Sequence, residues 1–146
     1  MKRFASIILI FAALLSGAVT KLSASDTEVS TAATSEPFTT SLMEGTIGNY
    51  KICMKLTFND NNHSVSGWYY YKSKGSKNKI SLSGHFSGEY IFGVCNLTLT
   101  EKVKGKVTGT FTGEFNAGNW TMGAEGTWRS PNGKTLKWSV DGGGLQ

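Results

Sequence analysis

Apolar and polar positions alternate without interruption from Tyr50 to Phe58: Tyr50, Ile52, Met54, Leu56 and Phe58 fall on one face, and Lys51, Cys53, Lys55 and Thr57 on the other. A period of two over that length predicts a β-strand with one buried side. The same reading predicts strands at Val65 to Tyr71, Asn78 to Phe86, Glu89 to Glu101, Lys106 to Phe115, Trp120 to Trp128 and Leu136 to Val140. A short first strand is expected within Ser41 to Asn49, which Gly45 and Gly48 interrupt. Turn residues separate the strands: Asn59 to Ser64, Lys74 to Lys77, Ser87-Gly88, Lys102 to Gly105, Asn116 to Asn119 and Ser130 to Gly133. No window carries a helical period with caps.

The pattern repeats. VSGWYYYKSKGSKNKISLSGHF, from Val65 to Phe86, returns in degenerate form 42 residues later as VTGTFTGEFNAGNWTMGAEGTW, from Val107 to Trp128. Read as strand, turn and strand, the first copy places Val65 opposite Phe86, Gly67 opposite Gly84, Tyr69 opposite Leu82 and Tyr71 opposite Ile80. The second places Val107 opposite Trp128, Phe111 opposite Ala124 and Phe115 opposite Trp120. Because every connection is short, sequence neighbours are expected to be antiparallel neighbours in space. The expected fold is all-β, an antiparallel up-and-down meander of seven to eight strands with an internal two-fold repeat. Mid-strand glycines permit the bending that closure into a small barrel demands, closed or partly open and lipocalin- or avidin-like in architecture. A two-sheet β-sandwich is the alternative. Aromatic side chains, among them Tyr69, Tyr71, Phe86, Phe111, Phe115, Trp120, Trp128 and Trp138, are expected to supply much of the core.

The ends of the chain are read differently. Lys2 and Arg3 precede an apolar run from Phe4 to Val19, followed by small residues up to Ser25, which is the order of an export signal and too short for a membrane span. Residues 1–25 are therefore expected to be removed, residues 26–40 to form a flexible tether of Ser, Thr, Ala and Glu, residues 41–141 to form one β-domain, and residues 142–146 to be a loose tail. The protein is then exported, periplasmic or extracellular, with no membrane span after cleavage. Removing Lys2, Arg3 and Lys21 from fifteen basic side chains leaves twelve against ten acidic ones. That small excess makes no case for nucleic acid. Lysines gather at Lys72 to Lys79 and Lys102 to Lys106, where the ordinary role of lysine at turns and strand edges accounts for them.

Little in the chain spells out chemistry. Cys53 and Cys95 are the two cysteines, and export makes a disulfide between them a natural expectation. Their strand positions argue the other way: Cys95 alternates with Leu97 and Leu99 on an apolar face, whereas Cys53 shares a face with Lys51 and Lys55. The alternative is a buried Cys95 thiol and a more exposed Cys53. His63 and His85 lie on different segments at no metal-ligand spacing, so neither a metal nor a cofactor is expected. Glu101, Glu114 and Glu125 read as solvated carboxylates at strand ends or outer faces, and Thr108, Thr110, Thr112, Thr121 and Thr127 as an outer row of good strand formers. No nucleophile elbow is present, and no catalytic residue is assigned. One surface stands out. The register places Trp68 and Tyr70 on the outer face, with His85 diagonal to Trp68, a strip able to stack on a sugar ring or anchor a protein.

The succession GTIGNYKICMKL, VSGWYYY, ISLSG, LTLTE, GKVTGTFTGEF and GTWRSPNGKTLKWSV resembles a widespread group of small exported bacterial β-meander domains of uncharacterised function, over residues 45–140. The resemblance implies a compartment and a fold and supplies no site residues. Trp68 and the Tyr90-Ile91-Phe92-Gly93-Val94-Cys95 stretch depart from the pattern. The expected function is that of a non-enzymatic binding module for a glycan, a small apolar molecule or a protein, bound on the Trp68 and Tyr70 face or at the barrel mouth. A protein-interaction module of inhibitor type, directed at a secreted hydrolase, is the alternative. Mass spectrometry of the secreted protein should find a mature chain starting at Ser25 or Asp26; recovery of an intact Met1 would contradict the export reading.

Overall fold

The structure, a computed structural model, describes residues 33–145; the expected export signal and the first part of the expected tether lie outside the described residues. Nine strands follow in order: β1 (Phe38–Thr39), β2 (Met43–Ile47), β3 (Tyr50–Asn59), β4 (Ser64–Tyr71), β5 (Ile80–Gly88), β6 (Cys95–Val103), β7 (Lys106–Ala117), β8 (Thr121–Arg129) and β9 (Thr135–Gly143). From β2 onward each strand pairs antiparallel with the next, and β9 returns to pair with β2. The result is a closed eight-stranded up-and-down barrel with one extra short strand. No helix occurs among the described residues, and the continuous ladder rules out the sandwich.

Inside and outside follow the alternation of the sequence. Ile52, Met54, Leu56 and Phe58 on β3, Tyr69 on β4, Leu97 and Leu99 on β6, Phe111 and Phe115 on β7 and Trp138 on β9 are buried in one core. One end of the barrel, carrying the turns at 60–63, 89–94 and 118–120, is filled by aromatic rings. Phe58 lies 4.6 Å from Phe115 and 4.7 Å from Tyr90, both stacked, and Phe86 meets Phe58 and Tyr90 edge-on at 5.4 Å. The other end carries the turns at 48–49, 72–79, 104–105 and 130–134. Closure brings backbones too close for side chains at some inward positions. A Cβ on Gly113 would stand 2.0 Å from the Glu125 carbonyl oxygen, and one on its partner Gly126 2.0 Å from that of Thr112.

Several expectations change. In the first hairpin Tyr69 pairs with Ile80 and Val65 with Gly84, because residues 72–79 form an ordered eight-residue turn instead of four. In that turn the Lys74 and Gly75 amides both donate to the Tyr71 carbonyl, at 2.8 and 3.2 Å. In the second hairpin Phe111 pairs with Trp128 and Phe115 with Ala124, around a loop of Gly118, Asn119 and Trp120. Trp120 is therefore 89% exposed and no part of the core. The two copies differ in register, so the repeat survives as a sequence pattern and not as a pairing symmetry. Ser87-Gly88 is no two-residue hairpin: β6 begins at Cys95, after a loop whose Tyr90 turns into the core. Lys104 and Gly105 do form such a hairpin, with φ of 51° and 76°, the pair of positive values that a tight turn between twisted strands requires.

The ends of the domain are also longer than expected. The tether expected through residue 40 already enters the sheet at β1, where Phe38 pairs with Phe58 and Thr40 exchanges two hydrogen bonds with the Leu56 backbone, at 2.9 and 3.0 Å. The tail expected from 142 is bonded: β9 runs to Gly143, the Gly144 amide donates to the Trp120 carbonyl and the Leu145 amide to that of Gly118.

Both cysteines are free. Cys95 points inward, fully buried, and burial pushes its thiol from 9.0 up to about 11. Cys53 is on the outer face as expected but is only 2% exposed, covered where Glu44 and Tyr70 flank it, so the more exposed thiol is not found. Burial also raises Tyr69 and Tyr90 above the ordinary phenol value. Each of these acids holds its proton more tightly folded than unfolded. Their stabilising contribution is complete below pH 9 and is lost as pH rises through the folded values. The thermal midpoint should therefore fall as pH climbs from about 9 to above 11, with the first part of the fall removed in Cys95→Ala. A flat midpoint through that window would contradict the assignment.

Candidate functional site

β4 sends alternate side chains to opposite sides of the barrel wall, so one strand builds two different environments. Outward go Trp68 and Tyr70, both half-buried, their rings stacked at 6.1 Å and 21°. Inward go Tyr69 and Tyr71.

On the outside, Trp68 stands directly between Lys55 of β3 and Ser81 of β5. A groove of about 530 Å³ runs beside it, lined by Thr39, Lys55, Thr57, Ser66, Trp68 and Ser81 among others. The Thr39 and Thr57 hydroxyls share a hydrogen bond of 3.0 Å at its edge. The Lys79 ammonium lies 4.0 Å from the centroid of the Trp68 ring, a cation–π contact. Tyr70 faces Cys53, whose thiol holds the phenol above its ordinary range and itself donates to Glu44 Oε1 at 3.9 Å. The Lys72 ammonium and Glu44 form an ion pair beside them. The site thus offers a flat aromatic surface bordered by hydroxyls and a cation. His85 is not part of it. That residue is exposed, paired with Ser64 and Thr98, and lies four residues along β5 from Ser81, about 13 Å at ~3.3 Å per residue. A second groove, of about 560 Å³, crosses the outer face of β7, β8, β9 and β2 and is bordered by Thr46, Glu114, Glu125, Thr127, Lys137 and Ser139. It has no exposed ring to stack on.

On the inside, Glu101 is the surprise. It was expected at a solvated strand end, but it is only 5% exposed and takes three side-chain hydrogen bonds. The Tyr69 hydroxyl donates to Oε2 at 2.7 Å, the Trp128 indole N–H to Oε2 at 2.9 Å, and the Thr108 hydroxyl to Oε1 at 2.6 Å. Tyr69 also reaches the Tyr71 hydroxyl, at 3.4 Å. Burial first, then the bond to Tyr71 and the Glu101 charge, lift the Tyr69 phenol far above its usual value, so it stays a donor. The geometry rests on a bulge: Glu101 pairs with Gly109 and Lys102 with Val107, leaving Thr108 unpaired between them and turned toward the carboxylate instead of into the outer threonine row. Gly109 makes room for the indole; a Cβ there would stand 2.3 Å from Trp128 Nε1.

The sequence held part of this signal, since Glu101 continues the inward alternation of Cys95, Leu97 and Leu99. The bulge that brings Thr108 in has none. All three donors serve one acceptor group, and the cluster ties four strands together at one end of the barrel. Among the described residues no group of three or more His, Cys, Asp or Glu side chains could hold a metal ion.

Fold and site together define a small closed β-barrel whose interior is filled by its own side chains and whose wall carries an aromatic strip. Comparison with protein-family models, with curated proteins and with solved structures gave no match.

Replacing Glu101 by Leu would leave the Tyr69 hydroxyl and the Trp128 indole without an acceptor in a buried place. The expected cost is about 3 kcal/mol of folding free energy by denaturant titration, against ~0.5 kcal/mol or less for Glu125→Gln on the outer face. Equal costs would remove Glu101 from its structural role.

Proposed function

We propose that this chain is an exported, non-enzymatic binding module, akin to other small exported β-meander domains, and that it takes a glycan on the Trp68 and Tyr70 face. The observation that carries the reading is the stacked Trp68–Tyr70 pair beside a groove bordered by the hydroxyls of Thr39, Thr57, Ser66 and Ser81. A sugar presents an apolar C–H face and a rim of hydroxyls. Parallel aromatic rings suit the first, and serine, threonine and lysine suit the second. The barrel mouth is less suited to a small apolar molecule, because Tyr69, Phe111 and Trp138 occupy the interior behind Glu101.

The alternative, a protein-interaction or inhibitor module, draws support from the far end of the barrel. There Phe92 is 71% and Trp120 89% exposed on neighbouring loops, tied together where the Phe92 amide donates to the Ala117 carbonyl.

Tryptophan fluorescence titrated with cell-wall and exopolysaccharide fragments tests the first reading. A saturable change is expected for at least one glycan, and the paired change Trp68→Ser and Tyr70→Ser should weaken it by about 30-fold or more while leaving the thermal midpoint within a few degrees. No response to any glycan, together with stoichiometric capture of a hydrolase that Trp120→Ser abolishes, would favour the alternative instead.

A further inference from the structure

The barrel sorts its charges by end. Twelve lysine and arginine side chains fall between residues 33 and 145, and eleven of them sit at the end that holds Glu101. Four come from the 72–79 turn, three from the residues around the 104–105 turn, three from those around the 130–134 turn, and one, Lys51, from the start of β3; Lys55, halfway along β3, is the exception. All eleven are exposed. Two carboxylates accompany them: Glu44, already paired with Lys72, and Glu101, buried and fully hydrogen-bonded. Toward the opposite end lie Glu36, Asp60 and Glu89, and on the barrel wall between the ends lie Glu114, Glu125 and Asp141, Glu114 paired with Glu125 and Asp141 directly across from Glu44. In the sequence these lysines look like separate, solvated turns, and closure of the barrel is what gathers them. Between them the same end exposes apolar surface, with Tyr50 at 56%, Val107 at 43% and Val103 at 39%.

We propose that this end docks on the surface of an anionic phospholipid bilayer, the lysines against headgroup phosphates and Tyr50, Val103 and Val107 into the interfacial layer. Charge complementarity selects an anionic occupant. The arrangement selects a surface: the cations stand on four separate turns around the barrel rim, with apolar side chains among them, whereas a linear polyanion is met by a groove or stripe of cations and gains nothing from exposed valines. The site adjoins the glycan face, sharing Lys79 at its edge, and does not depend on what binds there.

Vesicle flotation tests this. The full chain is used in every arm, so that the apolar run at Phe4 to Val19 contributes equally. Phosphatidylcholine vesicles containing about one-third phosphatidylglycerol should bind the protein at least about 100-fold more tightly than pure phosphatidylcholine at low salt, and ~0.5 M salt should erase most of the difference. Replacing Lys74, Lys77, Lys104 and Lys106 by Ser should weaken binding to the anionic vesicles by about fivefold per lysine. These exposed turn positions should leave the thermal midpoint within a few degrees; should the fourfold variant not fold, the single changes Lys74→Ser and Lys104→Ser decide, each expected to weaken binding to the anionic vesicles by about fivefold. Phe92→Ser with Trp120→Ser, at the other end, should change nothing. Equal binding to both vesicle types, indifference to the lysine substitutions, or loss through the Phe92 and Trp120 pair would overturn the proposal. So would tight binding to soluble polyphosphate or an acidic polysaccharide without binding to vesicles, which would make the rim a polyanion site.

Discussion

Closing eight short strands around an interior crowded with aromatic rings is the constraint from which the rest of this structure follows. The strands must coil sharply, and some inward positions then meet the neighbouring backbone with no room for even a methyl group. At Gly45 and Gly84 a Cβ would stand 1.8 Å from a carbonyl oxygen of the adjacent strand, and Gly113 and Gly126 face each other across β7 and β8 under the same restriction. Glycine there weakens the ladder locally and in return permits the curvature that brings β9 to β2. With β9 paired to β2, the eight barrel strands present no long free edge to template aggregation, and among the described residues only the two-residue β1, paired on one side with β3, keeps one.

The two ends of the barrel are filled in different ways. At one, Phe58, Phe86, Tyr90 and Phe115 pack ring against ring, with Phe38 of β1 lying 5.4 Å from Tyr90. Apolar contact and ring geometry suffice there, and Tyr90 sends its hydroxyl outward to Asp60 at 3.0 Å. At the other, the core ends on polar groups. Tyr69, Trp128 and Thr108 all need an acceptor, and the Glu101 carboxylate supplies one to all three. A buried charge is tolerable because its lone pairs are occupied by donors. The same arrangement links β4, β6, β7 and β8 by side chains in addition to their backbone ladder.

With the interior occupied, the surface offers the barrel's distinct chemical faces. The wall presents the Trp68 and Tyr70 strip between lysine and serine, the Glu101 end presents cations around exposed Tyr50 and valines, and the Tyr90 end presents Phe92 and Trp120. Phe92 is held at a φ of 56°, uncommon for a bulky side chain, with its amide bonded to Ala117 and its ring in solvent. These features sit on loops or on outward strand positions, where the barrel sets their placement and no packing requirement restricts their chemistry.

The alternation of apolar and polar residues determined, without tertiary information, that the chain is all β, that its neighbours pair antiparallel, and which side of each strand faces inward. Parity is a local property, so Ile52, Tyr69, Leu97, Phe111 and Trp138 were legible as core, and Trp68 and Tyr70 as outward. Register was not local. It depended on how many residues each turn consumed, and the Lys72 to Lys79 turn and the Gly118 to Trp120 loop took numbers that composition does not encode, moving both hairpins by whole pairs along the strands and leaving Trp120, expected in the core, exposed in its loop. The same holds for His85, whose distance from Trp68 is a matter of register, and for Thr108, which a bulge turned from an outer position to a carboxylate. Glu101 read as solvated because an isolated carboxylate is costly to bury. Only the folded barrel could show that three donors from β4, β7 and β8 converge on it, and only closure could collect lysines from four distant turns onto one rim.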